Sequence, residues 1–370
     1  MADRSRRSFL RTMGLGLGGV LVLDGCGDAA PSAAAGLEVT DQRGTTLRLD
    51  HPARRVVTIP MPAASLLIAV DQGVQRIAGM HQASWTAIQK GILGEIFPAA
   101  KEIPHAVAGQ DFSPNVESVL ALDPDLIVQW ADEGTGVIAP LENAGLTVLG
   151  LKYGTQRDLE SWIALFAAAL GKPGRGQEML ARMHQNLAQW SSDVRRAAKP
   201  SMLYLNRFTE GLKVATHNTY NDYCIKLIGA VNPATGANGL QGEGMAAVDI
   251  EQVLAWDPDV VLLGNFDDAV PDDVYRSRAW KDTRAVRDRR VYKVPLGGYR
   301  WDPPSHESPL MWRWLSMVAA PGEERFDLRA EIKDSYRFFY NHETTGAQLD
   351  RILWSDINNG SAGYEQFHGA

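Results

Sequence analysis

Short apolar runs alternate along this chain with longer stretches in which apolar residues recur every three or four positions. Residues 55–60, 75–80, 126–130 and 146–151 are brief, apolar and partly β-branched, and they read as buried strands. Residues 63–70 and 137–144 carry helical spacing between them. The alternation resumes downstream, with strands expected at 202–206, 212–215, 260–263 and 290–294 and helices at 220–229 and 305–318. Strands alternating with helices predict an α/β fold with largely parallel sheets. Residues 159–170 predict a helix stopped by Gly171-Lys172-Pro173-Gly174, and residues 175–198 predict a longer one. Met179, Met183, Leu187, Trp190 and Val194 keep one face of that long helix apolar. At 1.5 Å per residue it would span about 36 Å, a strut as long as a small lobe is wide. Residues 327–353 look helical, and 356–370 look like a polar tail.

An internal repeat organises the pattern. Residues 117–130 read Glu-Ser-Val-Leu-Ala-Leu-Asp-Pro-Asp-Leu-Ile-Val-Gln-Trp, and residues 251–264 read Glu-Gln-Val-Leu-Ala-Trp-Asp-Pro-Asp-Val-Val-Leu-Leu-Gly. Seven of the fourteen positions are identical. Asn115 and Asp249 stand two places upstream as helix caps. Each copy predicts a short helix, a stop at the proline and a buried strand. Two copies about 130 residues apart predict two similar lobes (37–155 and 200–322), joined by linking helices (156–199) and followed by C-terminal helices (323–355).

The N-terminus reads as an address. Arg6 and Arg7 lie in Ser-Arg-Arg-Ser-Phe-Leu-Arg, which resembles a twin-arginine export signal. The apolar run from Met13 to Leu23 is too short to span a bilayer. Leu23-Asp24-Gly25-Cys26 resembles a lipobox, so residues 1–25 read as a cleaved signal, Cys26 as the lipidation site and 26–36 as a tether. Lipidation would leave Cys224 alone, so no disulfide is expected, and a buried structural thiol is its plain reading.

Composition narrows the classes. The 370 residues are 45% hydrophobic and 22% charged, which excludes a disordered chain. A net charge of −7 argues against a nucleic-acid binder. Eight histidines are scattered with no His-rich loop, which disfavours capture of a bare metal ion. No Gly-x-Ser-x-Gly elbow and no phosphate loop follow a strand, which disfavours an enzyme, although an extracytoplasmic hydrolase or lyase stays open.

Together these features resemble the bacterial ABC-importer substrate-binding proteins that carry ferric siderophores, haem, cobalamin and related metal chelates. The resemblance runs from about Val39 to Leu353. It rests on the two Glu-x-Val-Leu-Ala-x-Asp-Pro-Asp copies, on residues 280–295, and on Trp301 with Pro304, Glu307 and Trp314-Leu315. It implies two α/β lobes joined by a rigid helix, with the ligand gripped between them and little hinge motion. It also implies a monomer outside the cytoplasmic membrane, delivering cargo to an ABC permease dimer. In that family one glutamate per lobe pairs with permease arginines, and Glu117 and Glu251 hold the matching positions; they would also favour their helix starts as plain N-terminal acids.

Ligands of such proteins sit at the carboxyl ends of the strands. That places Met61, His81, Trp85, Trp130 and Tyr153 of the first lobe opposite Arg207, Asn265, Phe266, Tyr299, Arg300 and Trp301 of the second. Trp85, Trp130, Tyr153, Tyr299 and Trp301 would form walls, while Arg207 and Arg300 would hold anionic oxygens. A ferric siderophore is the expected ligand. Haem ligated by His81, Tyr153 or Tyr299, cobalamin, and a molybdate-type oxyanion remain alternatives. No bound cofactor is expected.

Overall fold

The computed structural model describes residues 36–132, 134–193, 199–236, 239–322 and 326–369. The expected export arginines Arg6 and Arg7 and the lipidation site Cys26 lie outside the described residues.

The chain enters through a hairpin, β1 (Leu37–Thr40) and β2 (Thr46–Leu49). Asp41 builds its turn by accepting from the backbone N–H groups of Arg43 and Thr45, and its other oxygen accepts from Gly150 N–H at 2.8 Å. The first lobe then contains β3 (Val56–Thr58), β4 (Ile77–Met80), β5 (Leu126–Trp130) and β6 (Val148–Leu151). All four run parallel in the order β4-β3-β5-β6. The second lobe contains β7 (Met202–Arg207), β8 (Leu212–Ala215), β9 (Met245–Val248), β10 (Val260–Leu263) and β11 (Val291–Lys293). Its order is β11-β10-β7-β8-β9, with the first three parallel and an antiparallel hairpin at the other edge.

The repeat therefore has a topological meaning. The strand after each Asp-Pro-Asp is the central one of a parallel trio, β3-β5-β6 or β7-β10-β11. The preceding helices, Val116–Leu120 and Ile250–Trp256, are capped by Asn115 and Asp249, whose side chains accept from Ser118 N–H and Gln252 N–H. The first aspartate of each turn, Asp123 or Asp257, takes a left-handed conformation, with φ of 47° and 41°. The second clips the neighbouring strand. Asp125 accepts from Arg54 and Arg55 N–H, and Asp259 accepts from Ser201 N–H. These carboxylates are turn fasteners, and the two Glu-initiated segments belong to separate sheets.

The parallel strands β3, β5, β6, β7, β10 and β11 are largely buried on both faces, and their alternate residues divide two ways, while β9 at the far edge is exposed. Val57, Ile127 and Val148 pack in a core private to the first lobe, and Leu203, Val261 and Val291 in one private to the second. Val56, Val128, Tyr204, Leu262 and Tyr292 join a single core that also takes in the linking and C-terminal helices. The linking helices are Gln156–Ala169, opened by a Thr155–Asp158 capping box, and Pro173–Asp193. The second is about 32 Å long, and its Met179 and Met183 are buried in the shared core. Residues 194–198 of the expected strut lie outside the described residues.

The expected polar tail is a correction. Residues 355–367 form short helical turns with Tyr364 and Phe367 buried. Asn358 bonds Lys293 on both sides of its backbone, at 2.7 and 3.0 Å, so the segment covers the β11 edge. Gly, Asn and Ser around the two aromatics gave the stretch its polar look. Cys224 is buried and unpaired, and burial pushes its thiol up to about 12.

Candidate ligand cleft

The carboxyl ends of both sheets open on one cleft of about 510 Å³. The first lobe supplies Met61 after β3, His81 to Ala83 after β4, and Gln110 and Phe112 from the following loop. The second supplies Arg207 at the end of β7, Asn265 to Asp268 after β10, and Arg300 beyond β11.

Each wall is held by a specific device. His81 caps the helix Gln82–Lys90: its Nδ1 accepts from Ala83 N–H at 3.0 Å, and its Nε2 donates to Gly109 O at 2.9 Å. Burial, helped by the Arg300 charge, holds this imidazole below its usual pKa, so it stays neutral. Both ring nitrogens of His81 are thus engaged within the protein. In the second lobe Asp267 accepts from Phe208 and Thr209 N–H and from Ala269 N–H, which ties two cleft loops together. Beneath them the buried Lys293 Nζ donates to the carbonyls of Gly264, Asp267 and Ala269. Burial lowers that ammonium to about 8.

The Arg300 loop stands on a buried carboxylate. Glu307 accepts from Trp301 Nε1 at 2.7 Å, Tyr340 Oη at 2.6 Å, Tyr336 Oη at 3.2 Å and Gly298 N–H at 3.0 Å. Burial raises its pKa, and these donors oppose the rise. Gly297 and Gly298 must lack side chains, because a Cβ at either would collide with Glu307 and the tyrosine hydroxyls. From this base Arg300 reaches the seam. Its Nε donates to Asn265 O at 3.2 Å and its Nη1 to Ala83 O at 3.1 Å, with the guanidinium 4.8 Å over the Phe266 ring.

The structure thus brings Arg207 and Arg300 into the cleft and distributes the expected aromatic walls elsewhere. Trp301 is a correction: it is 0% exposed, and Glu307 takes its indole N–H, so it is core. Trp85 is a second correction. It stacks on His105 at 4.3 Å and donates to Lys101 O, away from the cleft lining. Trp130 is buried behind Phe112 and flanked by Tyr153 and Trp162. Tyr153 is 47% exposed beside it. Tyr299 is buried under Arg300, and burial pushes its phenol up to about 12. Phe112, Gln110, Lys90, Thr209 and Glu210 line the cleft without having been anticipated. Phe112 sits at φ 63° in a turn that no predicted strand precedes. Lys90 pairs with Asp268 at 2.6 Å across the rim.

Among the described residues no group of three His, Cys, Asp or Glu side chains is placed to hold a metal ion. The cleft instead presents two guanidinium groups against Met61, Phe112 and Phe266. The Arg207 side chain has no hydrogen bond or ion pair among the described residues. Lys90, Glu210, Asp267 and Asp268 complete a lining of mixed charge.

The sequence profile of the family described as periplasmic binding protein matches residues 79–296. The chain belongs to the periplasmic binding protein family. This binding protein is 24% identical to the molybdate-binding protein MolA of Haemophilus influenzae, over 84% of this chain and 92% of that one. It is 26% identical to the Fe(3+) dicitrate-binding periplasmic protein FecB of Escherichia coli, over 71% and 83%. A periplasmic solute binding protein from Veillonella parvula superposes with a TM-score of 0.77 at 30% identity, covering 87% of this chain and 98% of that one. These relatives are substrate-binding proteins of ABC importers, not enzymes. Among the described residues no helix is long and apolar enough to cross a membrane.

Proposed function

We propose that this binding protein captures a ferric siderophore or a closely similar anionic iron chelate and hands it to an ABC permease. The observation that carries the reading is that Arg207, whose side chain makes no hydrogen bond or ion pair among the described residues, lines with Arg300 a cleft of about 510 Å³ that has apolar surfaces from both lobes. That volume suits an organic chelate, and the arginines suit its carboxylate, catecholate or hydroxamate oxygens. The shared core beneath both lobes restricts them to small relative motion, so capture needs little reorganisation.

The match to a molybdate-binding relative over 84% of this chain favours a second reading, oxyanion capture. A bare tetrahedral oxyanion would leave most of the cleft to water. In either reading the signal at 1–25 directs twin-arginine export through Arg6 and Arg7. Cys26 carries the lipid, the tether 26–36 spaces a monomeric binding unit from the membrane, and Glu117 and Glu251 dock on the permease.

The test uses the full chain purified from its own membrane fraction. Metal analysis and mass spectrometry identify what co-purifies, and tryptophan quenching follows titration with ferric citrate, a ferric trihydroxamate and molybdate. Saturable binding of a ferric chelate at micromolar concentration or below supports the proposal. Binding of molybdate alone overturns it in favour of the oxyanion. Membrane association that survives Cys26→Ala removes the anchor assignment.

A further inference from the structure

We infer that Leu120 and Leu254 form a matched pair of apolar contacts for the permease, one beside each docking glutamate. The inference rests on the docking reading of Glu117 and Glu251 and adds the component that retains the complex once charge has oriented it.

The two short helices are alike in exposure as well as in sequence. Across residues 115–121 and 249–255 the order is the same: exposed, half-buried, exposed, half-buried, buried, exposed, exposed. The buried position is Val119 in one lobe and Val253 in the other, each in its lobe's private core. The half-buried positions differ between copies, Val116 against Ile250 and Ser118 against Gln252. The solvent-facing helical positions do not differ: both copies place Glu, Leu and Ala there. Folding accounts for the shared valine and leaves the shared leucine unexplained. Leu120 is 47% exposed and Leu254 38%, and neither belongs to a core cluster. Among the described residues only five large hydrophobic side chains are exposed, and these two stand at equivalent places.

Glutamate and leucine three positions apart share a helix face. Each lobe therefore shows an anion beside an apolar knob, at the same place in each copy of the repeat. A partner that fits both has two equal surfaces, each with a cation next to an apolar recess, as a two-fold permease dimer provides. A second copy of this chain fits poorly, because each leucine would arrive with a glutamate facing a glutamate. Charge would set the rate of encounter, and leucine burial would set the lifetime of the complex.

The test measures binding of the full chain to the cognate permease in lipid nanodiscs, without solute, by surface kinetics at several salt concentrations. Leu120→Ser with Leu254→Ser should weaken affinity by roughly tenfold per leucine. The loss should fall on the dissociation rate and leave the salt dependence of association unchanged. Glu117→Arg with Glu251→Arg should slow association and flatten or invert that salt dependence. If the leucine pair binds within twofold of the native chain while the glutamate pair fails, the inference is overturned and the docking reading stands. If the glutamate pair binds normally, the docking reading falls by itself. Self-association lost in the leucine variant would assign the patch to a second copy and overturn the inference. Unchanged melting temperatures of both variants exclude misfolding as the cause.

Discussion

Arg300 Nη1 donates to the carbonyl oxygen of Ala83 at 3.1 Å, a bond from a loop to the first turn of the helix Gln82–Lys90, 217 residues away in the chain. The same side chain is bound to Asn265 O within its own lobe, so it both lines the cleft and fastens the seam. Arg207 lines the cleft without such an anchor among the described residues. The two arginines should therefore respond differently to removal.

Arg207→Ala should lower affinity for ferric citrate about 10- to 100-fold, the scale of one charge-assisted contact to an anion, with little change in melting temperature. Arg300→Ala should lower affinity and also cost about 1–2 kcal/mol of stability, because two carbonyl oxygens near the seam lose their donor. Calorimetric titration with thermal unfolding checks both. Equal loss of stability in the two variants would remove the distinction drawn here.

The repeat and the strand ends were legible because their signals are local. Asn115 or Asp249 as a cap, a short apolar helix and Asp-Pro-Asp lie within a dozen residues, and each piece has one physical use. Arg207 and Arg300 were legible because an arginine at or just beyond a strand end faces the cleft in this architecture. Trp301 was misread because its partner, Glu307, is six residues on, and nothing local says that a carboxylate will be buried to accept its N–H. Phe112 was missed because a left-handed turn, not a strand, delivers it. The buried tail depends on Asn358 meeting Lys293, 65 residues away, a pairing that no periodicity announces.

Trp301→Phe tests the corrected role. The substitution keeps an aromatic ring but deletes the pyrrole part of the indole, so it removes one donor from a buried carboxylate and leaves a small cavity, which together should cost about 2–4 kcal/mol. Ferric citrate affinity of the folded variant should stay within about threefold of native, because the indole touches no cleft space. Chemical denaturation gives the first quantity and titration well below the midpoint gives the second. A large affinity loss with native stability would return Trp301 to the cleft wall.

Lys293 should matter to both stability and capture. Lys293→Met leaves the carbonyls of Gly264, Asp267 and Ala269 without their common donor, for a loss of about 2–3 kcal/mol. It should also weaken ferric citrate binding, since those residues shape the Asn265 to Asp268 wall. The pH dependence has a definite sign. The folded ammonium titrates near 8, below the unfolded value of 10.5, so between them the unfolded chain holds more protons. Stability conferred at this site therefore rises with pH from 8 upward, by up to about 1.4 kcal/mol per unit. Native protein should show that rise between pH 8 and 9.5, and Lys293→Met should lack it. Identical slopes would mean the ammonium is not the titrating group.

Acid should act through His306. This imidazole is fully buried; its Nε2 donates to Tyr340 Oη at 2.6 Å, and Tyr340 donates in turn to Glu307. Burial, with Arg175 nearby, holds it down to about 3. The unfolded chain takes up a proton near 6.5, where the folded chain refuses it, so native stability is full above 6.5 and falls as pH drops toward 3. The expected loss is about 1.4 kcal/mol by pH 5.5. Glu307 acts in the opposite sense: its raised pKa makes the folded chain take up a proton before the unfolded one, which offsets part of the loss at lower pH. His81, also held down, adds to the loss, so the slope of a His306→Gln variant should be reduced and not abolished. Urea unfolding of both proteins at pH 7.0, 6.0 and 5.5 reads the difference directly. Parallel lines would show that His306 does not resist protonation, and the donation from a neutral His306 to Tyr340 beneath the Arg300 loop would have to be redrawn.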